Sequence, residues 1–211
     1  AIAAGLLTTD DNFFDYGCGR GEDINILKRI GYRCNGWDPT HRPDTAHSPA
    51  SVVNLGFVIN VIEDPAERQE AMQSAWNLAE RVLVVAARSP MDSRRLTGEE
   101  FGDGCLTSAS TFQKQYSQTE LRDWIQLSLN VDPVAAAPGV FFVFRDELKR
   151  QEYLARRYRR RRSAPKITKS ERLFEEHREL AEDLMDFITD HGRLPSEWEF
   201  ERFADIGDAF G

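Results

Sequence analysis

Seven residues constrain this chain more than any others: Asp15-Tyr16-Gly17-Cys18-Gly19-Arg20-Gly21. They follow Phe13-Phe14, which reads as the end of a strand, and they precede a helix whose Ile24, Leu27 and Ile30 share one face. Glycines at alternate positions let the backbone turn sharply and approach a ligand more closely than side chains allow. They also leave the first amides of the helix facing that ligand. Strand, glycine turn and helix in that order place the chain in the α/β class, with a parallel sheet flanked by helices. The nicotinamide fingerprint G-x-G-x-x-G is not met, because its third glycine would fall at Glu22.

The rest of the first part supports that class. Tyr32 to Trp37 reads as a second strand ending at Asp38, and Ser51 to Leu55 as a third. Asp64-Pro65-Ala66-Glu67 supplies an N-cap, a proline at the first helical position and an early carboxylate, which starts a helix running to about Glu80. Arg81 to Ala87 is a continuous apolar strand. The capping box Ser117 to Glu120 opens a helix over Leu121 to Leu129. Val134 to Ala137 and Val140 to Phe144 then form a hairpin around Pro138-Gly139. Between the Arg81 strand and the Leu121 helix lies a polar, glycine-bearing insert with Gly102-Asp103-Gly104 and Thr111 to Tyr116. Loops at the carboxyl ends of parallel strands carry ligands, so the insert reads as a substrate lid or as an ordinary capping loop.

Asp38 stands seventeen residues after Gly21. A carboxylate at the end of the second strand is placed to accept both hydroxyls of a ribose. The D-x-G-x-G-x-G spacing resembles motif I of class I S-adenosylmethionine-dependent methyltransferases. The likeness narrows through Phe14 to Gly21, Gly36-Trp37-Asp38-Pro39, His41-Arg42-Pro43, Val53 to Pro65, Thr111-Phe112-Gln113-Lys114, Ala137 to Phe141 and Phe144-Arg145-Asp146. Over roughly residues 1 to 162 these are similar to the DNA phosphorothioation-associated methyltransferase family. The resemblance implies a Rossmann-like class I methyltransferase sheet and S-adenosylmethionine as cofactor. Gly17, Gly19 and Gly21 would wrap its methionine end, Asp15 would position the loop and the amino group, and Asp38 would hold the ribose. Tyr16, Arg20, Trp37 and Asn54 complete the implied cofactor site.

Two departures from the general methyltransferase pattern matter. Only fifteen positions separate Asp38 from Val53, too few for the usual helix, strand and loop between the second and fourth strands. The β2 to β4 region of the usual order is therefore shortened, and Trp37, Pro39 and the His41 to Pro43 loop become the candidates for holding the adenine. Secondly, amino-directed DNA methyltransferases carry an Asn/Asp/Ser-Pro-Pro-aromatic signature where this chain has Asn54-Leu55-Gly56-Phe57. Asn54 and Phe57 are the catalytic candidates: Asn54 to accept a hydrogen bond from an exocyclic amine, Phe57 to stack on an extruded base. The alternative makes Asn54 a strand-end cap and Phe57 a core residue. No cysteine follows a proline, which excludes cytosine C5 chemistry through a Pro-Cys loop.

Charge divides the chain into three. Residues 1–146 hold 13 basic and 20 acidic side chains, 147–169 hold 10 and 2, and 170–211 hold 4 and 13, for nets of −7, +8 and −9. The expected organisation is a cofactor-binding domain over 1–146, a basic helix and linker over 147–169, and an acidic helical appendage over 170–211. In the appendage Leu173, Phe174, His177, Leu180, Ala181, Leu184, Phe187 and Ile188 mark one apolar face of a helix ending near Gly192, and a capping box at Ser196 to Glu199 opens a last helix. Arg156, Arg157, Arg159, Arg160, Arg161 and Arg162, with Lys114 from the insert, are the candidate nucleic-acid contacts, DNA before RNA. Three cysteines without metal-like spacing point to reduced thiols in a cytoplasm, and the four scattered histidines predict no metal. No run is long and apolar enough to span a membrane, and no secretory signal is expected. A start at Ala1 instead of Met fits a fragment of a longer protein. A methyltransferase acting on nucleic acid is the first reading. A catalytically silent cofactor-binding scaffold, recruiting partner proteins of a DNA modification system, is the second.

Overall fold

The computed structural model describes residues 1–90, 98–163, 173, 175–191, 194–200, 203 and 205, with backbone alone at 160–163. By packing it divides into Ala1–Leu154 and Ala155–Gly211. The first unit is a Rossmann-like α/β sheet. Its elements run β1 (Asn12–Tyr16), α1 (Glu22–Arg29), β2 (Arg33–Trp37), β3 (Ala50–Gly56), α2 (Pro65–Leu78), β4 (Ala79–Ala86), the short strands β5 (Gly98–Phe101), β6 (Gly104–Thr107) and β7 (Phe112–Gln113), α3 (Gln118–Leu129), β8 (Val134–Ala137) and β9 (Val140–Phe144). The main sheet has the order β2-β1-β3-β4-β9-β8. β1, β2, β3 and β4 pair in parallel, whereas β9 is antiparallel to β4 and β8.

Period-two alternation sends successive residues of β3, β4 and β9 to opposite faces. Val53, Leu55, Leu83, Val85, Phe141 and Val143 pack with Phe14 and Tyr16 against Met72, Ala75 and Trp76 of α2 and Leu121 and Ile125 of α3. Val52, Val82, Val84, Phe142 and Phe144 form the other face, with Leu7, Tyr153 and Leu154. The start signals read from the sequence are in place: Asp64 accepts from the Ala66 amide at 2.8 Å, and Ser117 from the Glu120 amide at 3.1 Å.

The shortened region is visible as a missing layer. In the classic doubly wound order a third strand lies outside the second; here β2 is the sheet edge among the described residues. Residues 38–49 cross directly from β2 to β3, and His47 rests on the rings of Phe14, Tyr16 and Trp37.

The insert, expected as a loop, contains strands. β5, β6 and β7 form a second, three-stranded antiparallel sheet. Its hairpin tip is clamped by charge: Arg68, on α2 and only 3% exposed, grips Asp103 through two hydrogen bonds of 2.8 and 2.6 Å and also donates to the Glu63 carbonyl and the Tyr116 hydroxyl. Such bidentate pairs fix geometry as well as adding energy.

Helix α4 (Glu147–Ser163) begins in the first unit, where Tyr153 packs on Phe142 and Phe144. In the second unit, α5 (Arg178–His191) buries Leu180 and Ala181, and Phe187 stacks on His191 at 4.1 Å. At Ser196–Glu199 the Ser196 amide and hydroxyl both donate to the Glu199 carboxylate, but 197–199 form a turn and not the first turn of a helix. The helix expected after it falls largely outside the described residues. No described helix is long and apolar enough to cross a membrane.

Candidate functional site

The order of the sheet reverses at β1: the chain goes from β1 to β2 on one side, then returns to β3 on the other. Ligands of open α/β sheets bind in the crevice outside the carboxyl ends of the strands at such a switch point. The glycine loop occupies it. Gly17, Gly19 and Gly21 all have positive φ, at 88°, 54° and 80°, yet their surroundings differ. A β carbon at Gly17 would lie 2.3 Å from Val58 Cγ2, and one at Gly21 would lie 2.6 Å from Arg42 Nη1. A β carbon at Gly19 would meet nothing within 4 Å. Gly17 is thus required by packing, whereas at Gly21 the neighbour is the tip of the flexible Arg42 side chain, which can give way; of the three, only Gly19 borders open space as found, space that a ligand could use.

The loop is tied to β2 through the backbone. The Gly17 and Cys18 amides both donate to the Trp37 carbonyl, at 2.8 and 3.0 Å, and the Gly19 amide donates to Asp38 Oδ2 at 3.0 Å. Asp38 is already well supplied with donors. Its Oδ1 takes the Thr40 amide at 3.0 Å, the His41 amide at 2.8 Å and the His41 Nδ1 at 3.1 Å. Burial alone would raise its pKa, but the bonds from His41, Thr40 and Gly19 outweigh it and hold the carboxyl below the usual range. A carboxylate offers about four lone-pair sites. The expected acceptance of two ribose hydroxyls therefore requires His41 to move, because Oδ2 alone has room as found.

Asp15 is 7% exposed and points to the opposite face from Phe14 and Tyr16. Its Oδ1 accepts from Asn54 Nδ2 at 2.8 Å. Burial raises its pKa, the Asn54 bond opposes this, and the nearby Asp23 charge adds to the rise. Asp15, Asp23 and Asn54 line a cavity of about 390 Å³ whose other walls include Phe13, Ile26, Leu27 and Val84.

Several residues expected in the site are placed elsewhere. Tyr16 is buried in the core, and Trp37 packs on Tyr16 and His47 with centroids at 5.0 and 4.6 Å, so both rings are turned to the α2 side. Arg20 is exposed. Lys114, expected at a nucleic-acid contact, is 8% exposed, with its ammonium on Asp103 and Glu120 at 3.2 and 2.8 Å. Two carboxylates therefore neutralise its charge within the fold as found. Phe57 is not the core residue of the alternative reading: it is 55% exposed and has φ 59°. A bulky side chain in the left-handed region is costly, and such outliers concentrate at functional sites. Phe57 does not line the cavity with Asn54. Arg156 and Arg159 are exposed on α4 and Arg157 is half-buried; the side chains of Arg160, Arg161 and Arg162 lie outside the described residues. Among the described residues no three His, Cys, Asp or Glu side chains gather as metal ligands.

The sequence reading named the His41 to Pro43 loop only as a candidate for holding the adenine and did not foresee that its Arg42 lies against Gly21. It also missed the Asp38 turn, although Asp-Pro-Thr-His is a composition in which an aspartate caps the amides after it.

No protein-family profile and no curated protein sequence matches the chain. Among solved structures it is similar to the 1,6-didemethyltoxoflavin-N1-methyltransferase of Burkholderia thailandensis, with bound 1,6-didemethyltoxoflavin and S-adenosylhomocysteine (TM-score 0.46, 14% identity, 68% of this chain and 76% of that one). It is also similar to the sugar N-methyltransferase KedS8 of Streptoalloteichus sp. (0.48, 14%, 64% and 80%). A chain of the Pnkp1/Rnl/Hen1 RNA repair complex matches with TM-score 0.48 and 11% identity over 68% of this chain and 40% of that one.

Proposed function

We propose that the chain is an S-adenosylmethionine-dependent methyltransferase acting on nucleic acid, DNA before RNA, in the setting of DNA phosphorothioation. One observation carries the cofactor reading: a glycine loop at the topological switch point leaves open space only at Gly19, beside a carboxylate, Asp38, that ends β2. Gly19 would admit the cofactor, Asp38 would hold its ribose and Asp15 would face its amino group. The bound cofactor supplies a methyl group on a sulfonium, already activated for in-line displacement. The protein's share is then orientation and exclusion of water. Asn54 and Phe57, at the end of β3, are the residues nearest in kind to an amine-gripping and base-stacking pair. The arginines of α4 supply the polyanion contact.

Calorimetry tests the cofactor reading. S-adenosylhomocysteine should bind the wild type, and Asp38→Ala should weaken it at least tenfold; tighter binding of NADH would reject the assignment. Tritiated methyl transfer to DNA, RNA and metabolite pools tests the acceptor. Replacing Arg159 to Arg162 by Ala should flatten the logarithmic salt dependence of DNA binding by several units, about one for each phosphate no longer neutralised. The four internal donors on Asp38 favour a second reading, a silent scaffold whose loop stays closed on itself. Absence of cofactor binding in the same calorimetry would select it.

A further inference from the structure

Asp15 and Asn54 are partners across the parallel strands β1 and β3, and both line the same cavity. An asparagine side chain has a donor end and an acceptor end of nearly the same shape, so its neighbours decide which way it turns. An ionised carboxylate only accepts hydrogen bonds. Beside Asp15, therefore, the amide must present its NH₂, and the 2.8 Å bond from Nδ2 to Asp15 Oδ1 does so. Gly56 completes the slot: a β carbon there would lie 2.8 Å from Asn54 Nδ2 and 3.4 Å from Oδ1. Among the described residues no protein group donates to Asn54 Oδ1.

We infer that Asp15 is a positioning residue that acts through Asn54, locking its carbonyl oxygen outward so that the site selects a ligand presenting an N–H group. The side chains agree, since Asp15, Asp23 and Asn54 are the polar ones among the residues lining the cavity. In the nucleic-acid reading, on which the identity of the ligand rests, the selected group is the exocyclic amine of a base, preferred over a carbonyl at the same place. Asparagine at position 15 has its own NH₂ and could donate to Asn54 Oδ1. The Asn54 amide would then be free to turn its NH₂ outward, and the preference would vanish without any loss of volume.

The test compares 2′-deoxyadenosine with 2′-deoxyinosine, which carries a carbonyl where adenine carries its amine. Binding to the full chain is followed by ligand-observed NMR, with and without S-adenosylhomocysteine. The wild type should favour deoxyadenosine at least tenfold. Asp15→Asn should bring the ratio within about twofold of unity, as should Asn54→Ala. In the Asn54→Ala background, Asp15→Asn should have no further effect, because a residue that acts only through its neighbour is non-additive with it. Gly56→Ala, which crowds the amide and leaves the charge alone, should also lower the ratio, and it serves if Asp15→Asn fails to fold. Three results would overturn the inference: a wild type that binds neither nucleoside or does not discriminate, an Asp15→Asn ratio like wild type, or an effect of Asp15→Asn that persists without Asn54. S-adenosylhomocysteine binding is scored separately, so failure of the cofactor reading leaves the nucleoside ratio to decide this one.

Discussion

The two loop regions at the carboxyl end of the sheet are built on opposite principles. On the β1–β2 side the chain is short and held by its backbone: amides of the glycine loop donate to the Trp37 carbonyl and to Asp38, with one side of Gly19 left open. On the β4 side the chain is long and held by side chains. Arg68 and Lys114, both buried, converge on Asp103 at the tip of the β5–β6 hairpin. Backbone anchoring keeps a loop narrow enough for a ligand to approach. Charge anchoring holds an excursion still but requires buried cations that tolerate no loss of partner.

The largest effect should come from breaking the charged side. Arg68→Ala is expected to cost about 2–3 kcal/mol, toward the upper end because the buried Arg68 also holds the Glu63 carbonyl and the Tyr116 hydroxyl, although Asp103 is half-exposed, read as a fall in urea midpoint. A cost under about 1 kcal/mol, within the range of exposed pairs, would mean that the insert is held by its apolar contacts and the contrast is false.

The next separates the glycines. Gly17→Ala should lose about 2 kcal/mol, combining the left-handed backbone with the clash against Val58. Gly19→Ala should lose only about 1 kcal/mol, from the backbone conformation alone. Gly19→Val should abolish S-adenosylhomocysteine binding with the sheet intact by circular dichroism. Equal destabilisation at 17 and 19 would remove the distinction between packing and ligand space.

The smallest effect is on pH. Arg68 first, then Lys114, hold the Asp103 carboxyl down at about 2 from the ordinary 3.8, against the opposing effect of burial. A depressed carboxylate contributes its full stabilisation above the ordinary value, and the contribution is lost as pH falls toward the folded one. Amide exchange in β5–β7 should therefore accelerate relative to the main sheet between pH 4 and about 2, and Asp103→Asn should remove that difference.

This contrast also explains what could be read in advance. The glycine loop, the Asp64 and Ser117 caps and the hairpin around Pro138-Gly139 announce themselves through residues with few other uses. The insert does not. Gly98-Glu99-Glu100-Phe101 is exposed throughout and Gly104-Cys105-Leu106-Thr107 is half-buried throughout, so neither shows the alternation that marks a strand with one buried face. Arg68 sits on a helix among Glu67, Gln69 and Glu70 and reads as one more solvated charge. Its partner stands thirty-five positions away, beyond any local signal. Within the site, the glycine spacing and Asp38 were legible, but the inward turn of Trp37 was not. It depends on His47 arriving from the short crossover.

That crossover, the insert and the central strands also set an order of assembly. β4 meets β3 through a single helix, whereas β9 reaches β4 only after the insert and α3 have been traversed, with Val82 opposite Phe144. Contacts so distant in sequence must wait for loop closure, whose entropic cost is met before the pairing rewards it. An insert that folds on itself as two antiparallel hairpins, and is pinned at its tip to α2, shortens the effective loop that β9 must close. The clamp at Asp103 is thus expected to shorten the time taken to complete the sheet, a consequence that loss of Arg68 would show as slower refolding.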